Sequence, residues 1–153
     1  GKKVLLIDLD PQTNATIACI GIDKWKDHSS KKGTVANLLG ARNHFNAEGK
    51  QVKAEEIVIK DVFSGVDLIP SHMDLFTIDL ELSGTTAREK KLKLATKDLL
   101  TKYDIVVCDC PPNLTIPTQN AIAISSHFIV PTSPDFLSAI GISLLITRVT
   151  RLS

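Results

Sequence analysis

Apolar residues come in short runs closed by acids or prolines, and these runs alternate with stretches of helical spacing. Val4-Leu-Leu-Ile7 runs into Asp8-Leu-Asp10 and stops at Pro11-Gln12. Tyr103-Asp-Ile-Val-Val-Cys-Asp109-Cys-Pro-Pro112 repeats the device. Unbroken apolar runs bounded by turn signals predict strands buried inside a parallel sheet. Ile57–Ile59, Val66–Pro70 and His127–Pro131 predict three more strands, with a turn at Ser64-Gly65 between the first two.

Helices fall between them. Thr13 or Asn14 is placed to cap a short helix that Gly21 ends. Residues 22–33 are polar and read as a loop with Trp25 pinned to the surface, while 34–40 predict one or two helical turns. Residues 41–56 read as polar and mobile. Ser71 with Asp74 signals a helix start, followed by Leu75, Ile78 and Leu82 at helical spacing. Thr86 and Glu89 repeat the signal before a stripe of Leu92, Ala95 and Leu99, whose opposite lysine-rich face reads as solvated. A buried helix is expected from near Thr118, and a last one capped by Ser138. Strands alternating with helices predict an α/β fold with a mostly parallel, doubly wound sheet. One domain accounts for residues 1–153, and both ends read as cut.

Proline cannot donate to a sheet ladder, so Asp8, Asp10 and Asp109 belong at the carboxyl ends of their strands. Alternation puts Asp8 and Asp10 on one face, about 6.5–7 Å apart. Ligands of open α/β sheets bind at that edge. A single strand-end acid is commonly a helix cap. Two such strands, both cut off by proline, favour a site for Mg²⁺ and phosphate.

Composition narrows the picture by exclusion. Eighteen Lys and Arg against 17 Asp and Glu leave no global attraction to nucleic acid, so any DNA contact needs a local patch. The apolar stretch around 136–146 is too short and interrupted to span a bilayer. Cys19, Cys108 and Cys110 cannot all pair, and two lie in a predicted buried strand, which fits a reducing, cytoplasmic setting. No second Cys or His pair stands at ligand spacing, so these read as small buried thiols.

Four blocks, in order, carry a resemblance. Val4 to Thr16 resembles the segment that follows the phosphate loop in the ParA/MinD family of deviant Walker A ATPases, and the Pro11-Gln12 pair favours its DNA-partitioning side. Tyr103 to Thr115, continued by Gln119-Asn-Ala121, resembles that family's Walker B strand and second switch. Asp67–Ser71 and Ile129–Gly141 match the intervening blocks. The family's glycine-rich loop, of the form KGGxGKT, is expected upstream: no Gly-Lys followed by Ser or Thr occurs in the 153 residues. The family's carboxyl-terminal part, which helps hold adenine and DNA, is likewise unmatched. Thr13 stands where family members usually carry Gly.

The resemblance implies an incomplete P-loop NTPase sheet and an ATPase that drives plasmid or chromosome partitioning with ATP and Mg²⁺. It implies that Asp10 orients or deprotonates the attacking water, with Asp8 organising the first switch. Asp109 would hold Mg²⁺ through a coordinated water. Pro11, Gln12 and Asn14 would belong to the nucleotide and switch segment, and Pro111 and Pro112 would stiffen the second switch. Implied partners are a second copy, a ParB-like protein and non-specific DNA, with no membrane. Alone, the chain is expected to be inactive. The alternatives are an inactive remnant that only binds protein or DNA, and a metabolic relative such as a cobyrinic acid amidating synthase. Pro11-Gln12 argues against the latter.

Overall fold

A computed structural model describes residues 1–41 and 52–132, together with 141, 142, 146, 147 and 150. Its sheet has four strands, β1 (Val4–Asp8), β2 (Ile59–Phe63), β3 (Val66–Ile69) and β4 (Ile105–Asp109), in the order β2-β3-β1-β4. β1 runs parallel to both β3 and β4, and β2 turns back antiparallel on β3. The hairpin turn falls where expected, and Gly65 takes the positive φ of 77° that it demands.

In-register neighbours of a sheet share a face, so Leu5 with Val106 and Ile7 with Cys108 look one way. That face is the core: Leu5, Ile7 and Ile69 are fully buried. They pack in one cluster with residues of α3 (Val35–Leu39), α6 (Lys91–Leu100) and α7 (Ile116–Ile124). Leu75, Ile78, Leu92 and Leu99 are all buried there, as the helical spacing predicted. The opposite set, Val4 with Ile105 and Leu6 with Val107, is more open; Ile105 and Val107 are 46% and 47% exposed.

Several expectations need correction. Residues 22–33 are mostly helix, α2 (Ile22–Lys31), beginning directly after α1 (Asn14–Ile20) and Gly21. Trp25 is buried, and its indole N–H donates to the Ser71 carbonyl at 2.9 Å. His28, one turn on, meets the Ile57 carbonyl at 3.0 Å. The inward face of α2 is thus built from rings with polar tips, which leaves no aliphatic period to read. Residues 54–57 form a short helix, α4, so the strand expected at Ile57 begins at Ile59. His72, not Ser71, caps the 3-10 turn Met73–Phe76 that leads into α5 (Ile78–Glu81). Ala87, not Thr86, precedes the turn into α6, and α7 starts two residues before Thr118 because Pro117 suits a helix's first turn. His127–Pro131 is no strand; a strand exists only when a neighbour takes its backbone groups. The mobile stretch expected at 41–56 falls largely, and Ser138 wholly, outside the described residues.

Candidate functional site

Asp8 ends β1 opposite Asp109 at the end of β4, and the Leu9 amide extends the ladder to the Asp109 carbonyl at 2.8 Å. Asp10 therefore sits not in the strand but in the turn beyond it, where the Thr13 N–H donates back to its carbonyl at 2.9 Å. The spacing expected of two acids on one strand therefore does not apply, because only Asp8 belongs to β1.

Asp8 is fully buried and occupied. Its carboxylate accepts from the Thr16 hydroxyl (2.6 Å), the Thr16 N–H (2.8 Å) and the Asp10 N–H (3.0 Å). The Thr16 amide is one of the orphan donors that every helix start carries. Thr13, the residue before α1, makes no side-chain cap because its φ is 59°. A carboxylate eight positions back does the capping instead. That φ lies in the left-handed region, which explains why glycine suits the position in the family that the sequence resembles. Asp8 thus organises the turn that carries Asp10, and its own oxygens face no solvent.

Burial pushes the Asp8 carboxyl above its ordinary value of 3.8, outweighing the pull of the Thr16 and Asp10 hydrogen bonds. A raised pKa means that the folded chain holds this proton more tightly than the unfolded one. The linked stabilisation is full below about pH 3.8 and is lost as pH rises through the folded value. Asp8→Ala strands three donors and is expected to destabilise the protein by about 3 kcal/mol. Urea melts should show a larger penalty at pH 4 than at pH 7.

Asp10 is half-buried, and one of its carboxylate oxygens accepts from the Gln12 N–H at 2.9 Å. Gln12 and Asn14 are exposed beside it, and Pro11 is half-buried. Asp109 is pushed up from 3.8 first by burial and then by the negative charge of Asp10. Two carboxylates that repel each other at one sheet edge are oxygen donors suited to a hard cation, which would relieve that repulsion. Among the described residues no cluster of three or more His, Cys, Asp or Glu forms a ready-made metal cage.

Pro111 and Pro112 leave β4 into a loop that ends on α7. The Ile116 amide at its start is capped by the Asp79 carboxylate at 2.8 Å. Asn120, fully buried, accepts from the Leu92 N–H and donates to the Arg88 and Ile116 carbonyls, each at 2.9 Å. Cys108 and Cys110 are pushed up by burial to about 11 and about 12, so both are inert thiols at neutral pH. Two open hollows, of about 550 and 510 Å³, lie elsewhere, beside Lys91 and beside Tyr103.

Sequence reasoning missed Thr16, Ser71, Asp79 and Asn120. Each acts through a contact between residues far apart in the chain, or from a buried position that no local period marks.

A mostly parallel α/β sheet with acids at its carboxyl edge is the frame of a ligand-binding doubly wound fold, and the P-loop nucleotide hydrolases are one class built on it. A family model described as an AAA domain matches residues 1–153, the whole chain. The chain is 33% identical over 152 residues to the cell division protein PomZ of Myxococcus xanthus, covering 99% of this chain and 43% of PomZ. It is 31% identical over 149 residues to the sporulation initiation inhibitor protein Soj of Bacillus subtilis, covering 97% and 53%. The chain thus spans about half the length of the curated relatives it matches. A plasmid partition protein from Borrelia burgdorferi superposes with a TM-score of 0.80 at 26% identity, over 99% of this chain and 62% of that one. Cobyrinic acid a,c-diamide synthase from Mycobacterium smegmatis, with a bound ATP analog and magnesium, gives 0.77 at 28%, over 99% and 56%. The chain belongs to the ParA/MinD-type P-loop ATPases and covers part of their fold.

Proposed function

We propose that these residues are the water-orienting half of an ATPase site whose complete protein hydrolyses ATP with Mg²⁺ to partition plasmid or chromosomal DNA. The observation that supports this is the in-register pairing of Asp8 with Asp109 at the carboxyl edge of the sheet, with Asp10 close enough for its charge to act on Asp109. Phosphoryl transfer is mostly positioning and charge neutralisation. Asp10 is held by its backbone with one carboxylate oxygen on Gln12, so its other oxygen is available to take a proton from water. Asp109 would hold Mg²⁺, which supplies charge neutralisation at the phosphates when bound. Pro111 and Pro112 restrict the loop after Asp109, so a change at its start is passed to α7 rather than absorbed. Working as a homodimer in the cytoplasm, with a ParB-like protein and non-specific DNA as partners, is part of the same reading. Similarity to Soj and to a plasmid partition protein supports it.

A synthase-like activity has support in the cobyrinic acid enzyme's similar fold, but Pro11-Gln12 keeps the partitioning reading ahead. Phosphate release from ATP by the full-length protein, raised by DNA, is the expected result; a full-length protein that leaves ATP intact overturns the proposal. The 153 residues alone contain no backbone cradle of the Gly-Lys-Thr kind and should bind ATP-Mg²⁺ weakly or not at all. Micromolar affinity by titration calorimetry would contradict that.

A further inference from the structure

Ser71 follows β3, on the far side of β1 from Asp109, and sequence reasoning assigns it only a cap. It is fully buried, and each of its polar groups has one partner. Its N–H donates to the Thr16 hydroxyl at 2.9 Å. Its carbonyl accepts from the Trp25 indole at 2.9 Å. Its own hydroxyl donates to the Asp10 carbonyl at 2.6 Å. Thr16 passes the connection on to Asp8 at 2.6 Å, and Asp8 accepts the Asp10 amide at 3.0 Å. The peptide groups on both sides of Asp10 are therefore gripped, one by Asp8 and the other by Ser71. Trp25 is itself backed by His72, with ring centroids 5.5 Å apart.

We propose that Ser71 is a positioning residue for Asp10, its hydroxyl fixing the Asp10–Pro11 peptide while Trp25 anchors Ser71 from behind. The inference rests on the ATPase reading for its consequence, not for its geometry. The main-chain groups of Ser71 already satisfy Thr16 and Trp25, so the hydroxyl serves Asp10 alone. Without it the Asp10 carbonyl keeps only the Thr13 amide, a contact within its own turn. The turn can then rock, and a general base displaced by even a fraction of an ångström loses rate without losing ligand.

Two readouts on the full-length protein test this. Ser71→Ala removes the hydroxyl and leaves both main-chain bonds. It is expected to lower kcat for ATP hydrolysis about tenfold, with the nucleotide Kd within about twofold of the natural protein. Deuterium uptake in a peptide spanning residues 9–17 should rise, while that over β4 stays unchanged. Trp25→Phe, which keeps an aromatic side chain of smaller volume and removes the indole donor, should move both readouts the same way by less. Unchanged turnover in Ser71→Ala, or uptake that rises evenly across the sheet, overturns the proposal. Should the natural protein not hydrolyse ATP, the ATPase reading falls, while the uptake contrast still decides whether Ser71 holds the turn.

Discussion

Asp10→Ala in the full-length protein is expected to abolish ATP turnover, with a fall of about 10²–10⁴ in kcat, and to leave ATP binding nearly intact. Asp10 stands in the turn after β1, held by its backbone at both ends, with one carboxylate oxygen committed to Gln12. Nothing in that arrangement grips phosphate, so its loss should be felt in the chemical step. Asp109→Ala should behave differently, weakening Mg²⁺-dependent nucleotide binding by about 10–100-fold. Asp109 ends a strand rather than a turn and is exposed at the sheet edge, where partial desolvation and then the Asp10 charge push its carboxyl above the ordinary value. Rapid-quench turnover and titration calorimetry on the two variants separate these roles. If the variants lose binding and turnover in the same proportion, the division of labour between Asp10 and Asp109 is wrong.

The second large effect concerns the sheet edge. The 153-residue segment on its own should self-associate. β4 pairs with β1 on one side, and no described residue pairs with its other side. Ile105 and Val107 are about half exposed on the open face of that strand. An apolar strand with unpaired backbone groups is a template for a further strand, whether from another copy or from the longer protein. Light scattering should find oligomers or aggregates, and Val107→Lys should reduce them by charging the edge. A monodisperse, cooperatively melting monomer would show that the four strands form a self-sufficient sheet.

Much of the architecture is legible in the order of residues. Apolar runs cut off by proline mark β1 and β4, because proline cannot continue a ladder; burial on both faces, expected of both strands, is not found at β4, where Ile105 and Val107 lie on an open face. Leu75, Ile78, Leu92 and Leu99 mark their buried helix faces through the 3.6-residue period. The position of the acids was legible for the same reason: Asp8 and Asp109, each a few residues before a proline, stand where their strands end. Where local signals misled, a distant partner had intervened. Trp25 looked like a surface aromatic until the Ser71 carbonyl, 46 positions on, took its indole. His127–Pro131 has the composition of a strand, but composition cannot provide the neighbour that a ladder requires.

The sequence by itself determined the class of fold, the edge at which the acids gather and the family to which they point. Those follow from periodicity, from proline's missing donor and from short contiguous motifs. Only the tertiary structure separated the three aspartates into a buried capping group, a half-buried turn residue and an exposed strand-end residue. The difference lies in hydrogen-bond partners: Thr16, Ser71 and Gln12 reach Asp8 and Asp10 through a turn and a strand crossing whose geometry no local pattern encodes. A carboxylate's role is set by which donors and charges surround it, and folding brings those together from distant parts of the chain.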